Sequence, residues 1–123
     1  MAAPAAPALR LTTLTRRADF VAAARARRQS RPGLTLQARR RDAAGPDGIR
    51  VGYTCSKKVG NAVARNRAKR RLRAAARAII PRLGHPGWDY VLIGRPTVTA
   101  GRPFAALCDD LASALEAVHG RQA

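Results

Sequence analysis

The residues with the clearest chemical potential form a run of cations in the middle of the chain. Residues 57–77 contain nine Lys or Arg side chains and no acid. At 100° per residue, Ala68, Leu72 and Ile79 share one apolar stripe of a predicted helix. A neighbouring arc carries four of the cations, Lys69, Arg70, Arg73 and Arg77. Like charges at i,i+3 and i,i+4 destabilise an isolated helix, so a purely structural role explains the run poorly. The pattern predicts a helix that packs with one side and binds phosphate with the other.

The charge of the whole chain supports the same reading. The 123 residues carry 24 Lys+Arg, 21 of them arginine, against 7 Asp+Glu, which gives a net charge of +17. A self-repelling charge of this size calls for a polyanionic partner, and nucleic acid is the first candidate. Residues 16–41 carry nine cations and one acid, whereas residues 88–123 are close to neutral. We therefore expect a basic binding surface in the first two-thirds and a scaffold in the last third.

Length and composition exclude several classes of protein. The length predicts one domain, residues 11–123, after a flexible Ala/Pro-rich tail at residues 1–10. No run approaches the ~20 apolar residues of a membrane span, so we expect a soluble, cytoplasmic protein. An organellar transit peptide stays open, because the first 41 residues are arginine-rich and nearly free of acids. Cys55 and Cys108 lack CxxC spacing and a nearby His pair, so we expect small buried side chains with no zinc and no disulfide.

The elements that must position the basic helix follow from periodicity and turn residues. The predicted order is α-β-β-α-β-α, an α+β sandwich with helices packed on one small sheet. The first predicted elements are a helix over 16–28 capped by Thr15, and strands over 34–38 and 49–55 joined by a turn at 44–48. The basic helix follows and is predicted to end near Ile80, where Pro81 stops it. A central strand over 88–93 then leads to a last helix over about 103–118, whose apolar stripe contains Phe104, Leu107, Leu111, Leu115 and Val118.

Strand alternation assigns side chains to the two faces of the sheet. The inward face of the second strand is predicted to carry Ile49, Val51, Tyr53 and Cys55. The opposite face is predicted to carry Thr35, Gln37, Gly52 and Thr54.

At this level of detail the sequence resembles a known family. The stretch from Ser56 to Arg70, with Arg65-Asn66-Arg67 at its centre, closely resembles the signature of the bacterial ribonuclease P protein component. Further matching blocks occur in the same order, namely Leu14 with Asp19-Phe20, then Arg50-Val51-Gly52, Asp89-Tyr90-Val91 and Arg95-Pro96. A basic helix alone is weak evidence, but ordered blocks over most of the chain are specific.

The resemblance implies a fold and an activity. Such proteins are α/β sandwiches around a sheet of about four strands, with a left-handed β-α-β crossover through the basic helix (ribosomal protein S5 domain 2-like). They are subunits of a ribonucleoprotein endoribonuclease, EC 3.1.26.5. Its catalytic RNA removes the 5′ leader of precursor tRNA with Mg²⁺, which is bound mainly by the RNA. The resemblance therefore implies no catalytic residue and no metal ligand from the protein. It gives no reason to expect a homo-oligomer.

It also implies two sets of RNA-binding residues. The set matching the family's contact with the catalytic RNA is Lys57, Lys58, Asn61, Arg65, Asn66, Arg67, Lys69, Arg70 and Arg73. The set expected in a cleft for the single-stranded leader is Phe20, Arg17, Thr35, Gln37 and Thr54. Ala24 stands where the family usually has a second aromatic, so leader binding could depend on Arg25 and Arg28 instead. A plain core role for Phe20 stays open, and Tyr53 is expected in the core.

Two other functions are weighed against this one. A protein nuclease using two metal ions needs clustered carboxylates, yet acids are few, and His85 and His119 have no evident acid–base partner in the sequence. A general RNA-binding, ribosome-associated or DNA-architectural protein without a catalytic RNA partner fits the composition. Only the ordered motif blocks argue against that second alternative.

Overall fold

The described part of the chain forms one mixed sheet with helices on both faces. A computed structural model describes residues 11–42 and 48–120, so the predicted tail and most of the predicted turn at 44–48 lie outside the described residues. The strands are β1 (Leu11–Thr13), β2 (Arg27–Ser30), β3 (Leu34–Arg40), β4 (Ile49–Cys55) and β5 (Trp88–Gly94). The helices are α1 (Arg17–Ala24), α2 (Ala62–Leu83), α3 (Val98–Gly101) and α4 (Phe104–His119), with a 3-10 turn at Lys57–Val59.

The sheet has the strand order β1-β4-β5-β3-β2. β5 lies at its centre, as its continuous apolar run predicts. It pairs in parallel with β4 and antiparallel with β3. Because α2 connects two parallel neighbours, β4-α2-β5 is a crossover unit, and the predicted α+β sandwich is confirmed.

The main core lies between one face of the sheet and helices α2 and α4. The predicted stripes of both helices are buried there, including Leu72 and Ile79 of α2 and Leu111 of α4. Tyr53 packs against this core, as predicted. Phe104 was predicted on the stripe of α4 but is 42% exposed. It is the first residue of the helix, and helical side chains point toward the N-terminus, so it extends past the packed turns.

Several predicted boundaries are wrong. The sheet has five strands rather than about four, because β1 and β2 are short edge strands that the predicted order lacks. The first helix ends at Ala24 rather than at residue 28, since Arg27–Ser30 instead pairs with β3. Thr15 does not cap this helix; Arg16 precedes it without a side-chain capping bond. The largely polar sequence of β2 carries no alternation that would have identified it.

Pro81 does not end α2, which continues to Leu83. A proline lacks the N–H group for one helical hydrogen bond. The loss is small here because the helix is about to end, and Gly84 N–H still donates to the Ile80 carbonyl at 2.7 Å. Cys55 and Cys108 are both unpaired but half-buried rather than fully buried. Within the described ranges no helix combines the length and the hydropathy that a membrane span requires.

Candidate nucleic-acid interface

The start of α2 is built by local capping. The Ser56 hydroxyl accepts the Lys58 backbone N–H at 3.2 Å, which closes the 3-10 turn. Gly60 then turns the chain at φ 138°, a region that favours glycine. The Asn61 side chain accepts the Ala64 N–H at 3.0 Å and so caps α2. Asn61, predicted to contact RNA, therefore has a structural role in the loop that presents the basic residues.

The remaining predicted contacts lie together along the turn and the first three turns of α2. Lys57, Lys58, Asn66, Arg67 and Arg70 are exposed, while Arg65, Lys69 and Arg73 are half-buried. Among the residues that the structure describes, none of these cations forms an ion pair with a carboxylate. The result is a continuous positive surface whose charge is not neutralised within the fold.

Two of the half-buried arginines are held in place by neighbouring groups. Arg65 donates from its guanidinium to the Gly60 carbonyl at 2.8 Å, which ties the helix to the turn before it. The guanidinium of Arg73 lies 5.0 Å from the ring centre of Tyr53, within cation–π distance. Their charges are thus presented at fixed positions, whereas Arg67 and Arg70 extend into solvent.

Arg71 belongs to the same helix but faces the other way. Its guanidinium donates to the backbone carbonyl of Thr99 at 2.9 Å and to that of Arg102. It therefore joins α2 to the α3 segment. Arg71 was not among the predicted RNA contacts, and the structure gives it a role within the fold.

A cleft lies beside α1 on the opposite face of the sheet. The ring of Phe20 packs over Gly52, so closely that a Cβ on Gly52 would lie 2.6 Å from the Phe20 ring. Next to this contact is an open hollow of about 360 Å³, lined by Thr15, Arg17, Phe20, Tyr53 and Thr54. Three residues of the predicted leader set, Arg17, Phe20 and Thr54, therefore meet in one hollow.

The other two predicted cleft residues are not accessible there. Thr35 and Gln37 lie on the predicted face of the sheet, but they are only 5% and 7% exposed. Helix α1 packs on β3 and β5 over this region, with Ala23 buried against Val91. Phe20 packs against this second small core and also lines the hollow, so its packing role is confirmed and its contact with a leader stays a prediction.

A buried ion-pair network beneath α1 was missed at the level of sequence. Asp89 is fully buried and accepts two hydrogen bonds of 2.7 Å from Arg50 and one of 2.6 Å from Arg41. Arg39 and Arg50 also reach Asp19 of α1, at 3.8 and 3.4 Å. Burial pushes the pKa of Asp89 upward, but the bonds from Arg50 and Arg41 outweigh it and leave that pKa below its ordinary value.

The register of the strands explains this network. Arg39 and Arg50 both pair with Asp89, one from each neighbouring strand. A signal was present in the chain, because Asp89 is an acid inside an otherwise apolar strand and a buried carboxylate needs a cation. Its hydrogen-bond partners Arg50 and Arg41 are 39 and 48 residues away, so only the tertiary structure reveals them.

The described acids do not form a nuclease centre. Asp89 is held by arginines, and Asp110 accepts bonds from Arg102 at 3.1 Å and from the Gly33 N–H at 2.9 Å. In the described ranges no group of three or more His, Cys, Asp or Glu side chains could hold a metal ion. The donor set thus does not fit the paired carboxylate sites of two-metal nucleases.

Comparisons with known proteins agree on one family. The family model described as Ribonuclease P matches residues 9–119. The ribonuclease P protein component of Ruegeria pomeroyi is 64% identical over 109 residues, covering 89% of this chain and 87% of that protein. The protein of the same name from Paramagnetospirillum magneticum is 48% identical over 120 residues, covering 94% and 88%.

Solved structures share the fold. The ribonuclease P protein of Thermotoga maritima superposes with a TM-score of 0.69 at 22% identity, covering 85% of this chain and 94% of that one. The Staphylococcus aureus ribonuclease P protein gives a TM-score of 0.67 at 22% identity, covering 85% and 93%.

Proposed function

The chain belongs to the ribonuclease P protein family, and from this premise we propose that its basic helix binds the catalytic RNA and its α1 cleft binds the single-stranded 5′ leader. As a member of that family it is the protein subunit of ribonuclease P, the ribonucleoprotein endonuclease that matures the 5′ end of tRNA. Its partners are the ribonuclease P RNA and precursor tRNA. What remains to be assigned is which residues perform each contact.

One observation carries the assignment of α2. Its exposed cations lie together along one helix and the turn before it, and none has a carboxylate partner among the described residues. By contrast, the arginines paired with Asp19, Asp89 or Asp110 all lie outside α2. A phosphate backbone supplies the missing negative charge and releases counterions when it binds. The proposed contacts are Lys57, Lys58, Arg65, Asn66, Arg67, Lys69, Arg70 and Arg73, with Asn61 acting through its cap on the helix.

The leader site is proposed in the hollow beside Phe20. The exposed part of the Phe20 ring offers a stacking surface, and Arg17 and Thr54 offer groups that can bind phosphate or sugar. Thr35 and Gln37 do not contact a leader in this arrangement, because they are buried. Ala24 is exposed at the end of α1 and provides no second ring, so Arg25, the exposed residue after it, is the neighbouring group that can compensate.

The chemistry is assigned to the RNA. Mg²⁺ is proposed to be held mainly by RNA phosphates, since the described residues offer no metal-binding cluster. The protein would then position the leader and screen phosphate repulsion between two RNA molecules. We place this work in the cytoplasm, where precursor tRNA is processed in bacteria.

A reconstitution experiment tests the assignment to α2. Purified protein alone is expected to leave precursor tRNA intact, and addition of the ribonuclease P RNA is expected to give cleavage at low Mg²⁺. Arg67→Ala/Arg70→Ala removes two exposed charges and leaves the Arg65 tether intact. It should flatten the slope of log affinity against log salt by roughly 1.4–1.8 for the catalytic RNA, at 0.7–0.9 for each lost phosphate contact.

The matched control is Arg16→Ala/Arg95→Ala, which removes two exposed arginines outside α2. An unchanged slope in the α2 variant, or the same change in the control, would place the RNA contact elsewhere. Cleavage by protein alone would contradict the division of labour, and equal affinity for unrelated RNA would favour a general RNA-binding protein.

A further inference from the structure

A cluster of aromatic rings lies at the far end of the fold from the start of α2. His85 and His119 stack with ring centres 3.6 Å apart and planes 14° apart. Trp88 meets the His119 ring edge-to-face at 4.5 Å. The cluster lies where α2 and α4 end and β5 begins. It is on the sheet face opposite the α1 cleft, because Trp88 and Tyr90 alternate with Asp89 and Val91.

A single buried hydroxyl holds both histidines. Tyr90 is fully buried, and its oxygen accepts the His85 backbone N–H at 2.9 Å. The same oxygen lies 2.7 Å from Nε2 of His119. Burial, His85 and Arg27 lower the pKa of His119 to about 4, so its ring is neutral near pH 7 and its hydrogen bond with the Tyr90 hydroxyl joins two neutral groups. The outer ring, His85, is exposed and rests on a fixed neutral ring.

The charges beside this stack are asymmetric. An open groove of about 490 Å³ runs along one side and is lined by Arg27, Arg40, His85, Pro86, Trp88 and His119. The hollow on the other side of the histidines contains Glu116. Arg27 is already engaged, since it lies over Trp88 at 5.5 Å and donates to the Val118 carbonyl. Arg40 is exposed at the position that pairs with Trp88.

From this arrangement we propose a second RNA site: an unpaired nucleotide stacks its base on the outer face of His85 and places its phosphate on Arg40. A flat, preorganised ring beside an exposed guanidinium suits a base with its attached phosphate. The carboxylate of Glu116 repels phosphate from the opposite side, which favours the Arg40 side for the phosphate. The inference rests on the proposed function, because the nucleotide must come from the ribonuclease P RNA or from precursor tRNA.

The site is spatially separate from both surfaces described above. The seven residues of β5 span roughly 23 Å, and the 22 residues of α2 roughly 33 Å, between the basic turn and this groove. The sheet itself separates the groove from the leader hollow. An RNA that reaches both ends of the protein would be held at two points, which fixes the orientation of the protein on it.

The test uses His85→Ala, His85→Phe and Arg40→Ala in the full-length protein. His85→Ala should weaken RNA binding by about 5-fold or more, which corresponds to the lower end of base–ring stacking energies. His85→Phe keeps a flat ring and should bind within twofold of wild type. Arg40→Ala should flatten the slope of log RNA affinity against log salt concentration by roughly 0.7–0.9. Replacing His85 leaves its backbone bond to Tyr90 in place, and thermal unfolding checks that each variant is folded.

Two binding assays identify the source of the nucleotide. Weaker binding to the ribonuclease P RNA assigns the nucleotide to that RNA. Weaker binding of precursor tRNA to the assembled holoenzyme, with assembly unchanged, assigns it to the precursor. Arg82→Ala, which removes an exposed charge from the last turn of α2, is the control and should change neither affinity.

Three results would overturn the site. The first is unchanged RNA affinity in both His85→Ala and Arg40→Ala. The second is an equal loss of RNA affinity in His85→Phe and His85→Ala. The third is a loss of RNA affinity in Arg82→Ala as large as that in the groove variants. The variant Arg67→Ala/Arg70→Ala is measured in parallel. If it weakens binding while the groove variants do not, the second site fails and the proposed function stands. If the wild-type protein binds neither RNA, both fail.

Discussion

Gly52 determines how closely α1 approaches the sheet. Its missing side chain leaves the space that the Phe20 ring occupies, and an added Cβ would lie 2.6 Å from two atoms of that ring. The neighbouring residue Tyr53 lines the same hollow, so the position of Phe20 also sets the width of the proposed leader site. A single residue without a side chain thereby links the packing of α1 to the shape of the proposed leader site.

Gly52→Ala tests this link. We expect a loss of about 1–3 kcal/mol in the free energy of unfolding, because the ring and α1 must move to accept the methyl group. Precursor tRNA with a leader should bind more weakly, and mature tRNA should bind unchanged. Denaturant titration and binding assays measure both effects. Gly101→Ala is the matched control, since a Cβ there meets nothing within 4 Å; an equal loss in the control would contradict the steric explanation.

His119 gives a second prediction at the residue scale. Its pKa in the fold is about 4, against an ordinary value of 6.5, so the unfolded chain binds the proton first as pH falls. Stability should therefore decrease as pH falls from about 6.5 toward 4. The non-titrating variant His119→Phe should reduce this dependence, as measured by denaturant titration at pH 7.5 and 5.0. A variant with an undiminished dependence would assign the effect to other groups.

At the scale of elements, α2 separates two tasks along one helix. Its apolar stripe and Arg71 attach it to the sheet, α4 and the α3 segment, while Arg67 and Arg70 face solvent. The capped turn before it fixes where these cations begin. Adjacent arginines of the same helix should therefore respond differently to replacement.

Arg71→Ala and Arg70→Ala form a matched pair that removes the same charge. Arg71→Ala should lower the free energy of unfolding by about 1.5–3 kcal/mol, because it loses charged hydrogen bonds to two backbone carbonyls. Arg70→Ala should leave stability nearly unchanged and flatten the salt slope for RNA. Chemical denaturation and salt-dependent binding of the catalytic RNA check the two effects. The reverse pattern would show that the roles of the two faces are misassigned.

At the scale of the whole molecule, a net charge of +17 must be held in a compact fold without its RNA. Part of this positive charge is compensated because several arginines surround a few acids. Asp89 joins Arg41 and Arg50 from two segments of the chain, and Asp110 joins the Gly33 turn to Arg102 and α4. These contacts use some of the arginines structurally, whereas the exposed arginines of α2 have no carboxylate partner among the described residues and stay available for the proposed RNA contact.

Asp89→Asn should lower the free energy of unfolding by about 3–5 kcal/mol, because it leaves the buried charge of its arginine partners without a carboxylate. The pKa of Asp89 is lowered in the fold, so its contribution is present above its ordinary pKa of 3.8 and is lost as pH falls through the folded value. The variant should thus show a weaker acid dependence of stability below about pH 4. Urea titrations across pH measure this effect. Asp109→Asn, an exposed acid of α4, should behave like wild type; a similar loss there would contradict a specific role for the buried carboxylate.

The elements that were predictable are those with long periodic patterns. α2, β5 and α4 each bury a stripe or run that is visible in the chain, and the basic run marks the exposed side of α2. The short edge strands β1 and β2 lack such a pattern because they bury little of their own surface. The faces of Thr35 and Gln37 followed from alternation, but their burial depends on where α1 lies, which alternation does not encode.

The linear sequence by itself determined the family, the excess of positive charge and the helix that carries it, because these depend on residue types at short spacing. Only the tertiary structure decided which arginines form contacts within the fold, how narrow the hollow beside Phe20 is, and that His85 and His119 stack on each other while both contact the hydroxyl of the buried Tyr90. The reason is physical: most of these properties arise from contacts between residues far apart in the chain, such as the 28 positions between Arg71 and Thr99 or the 48 between Arg41 and Asp89, which strand register and helix packing bring together.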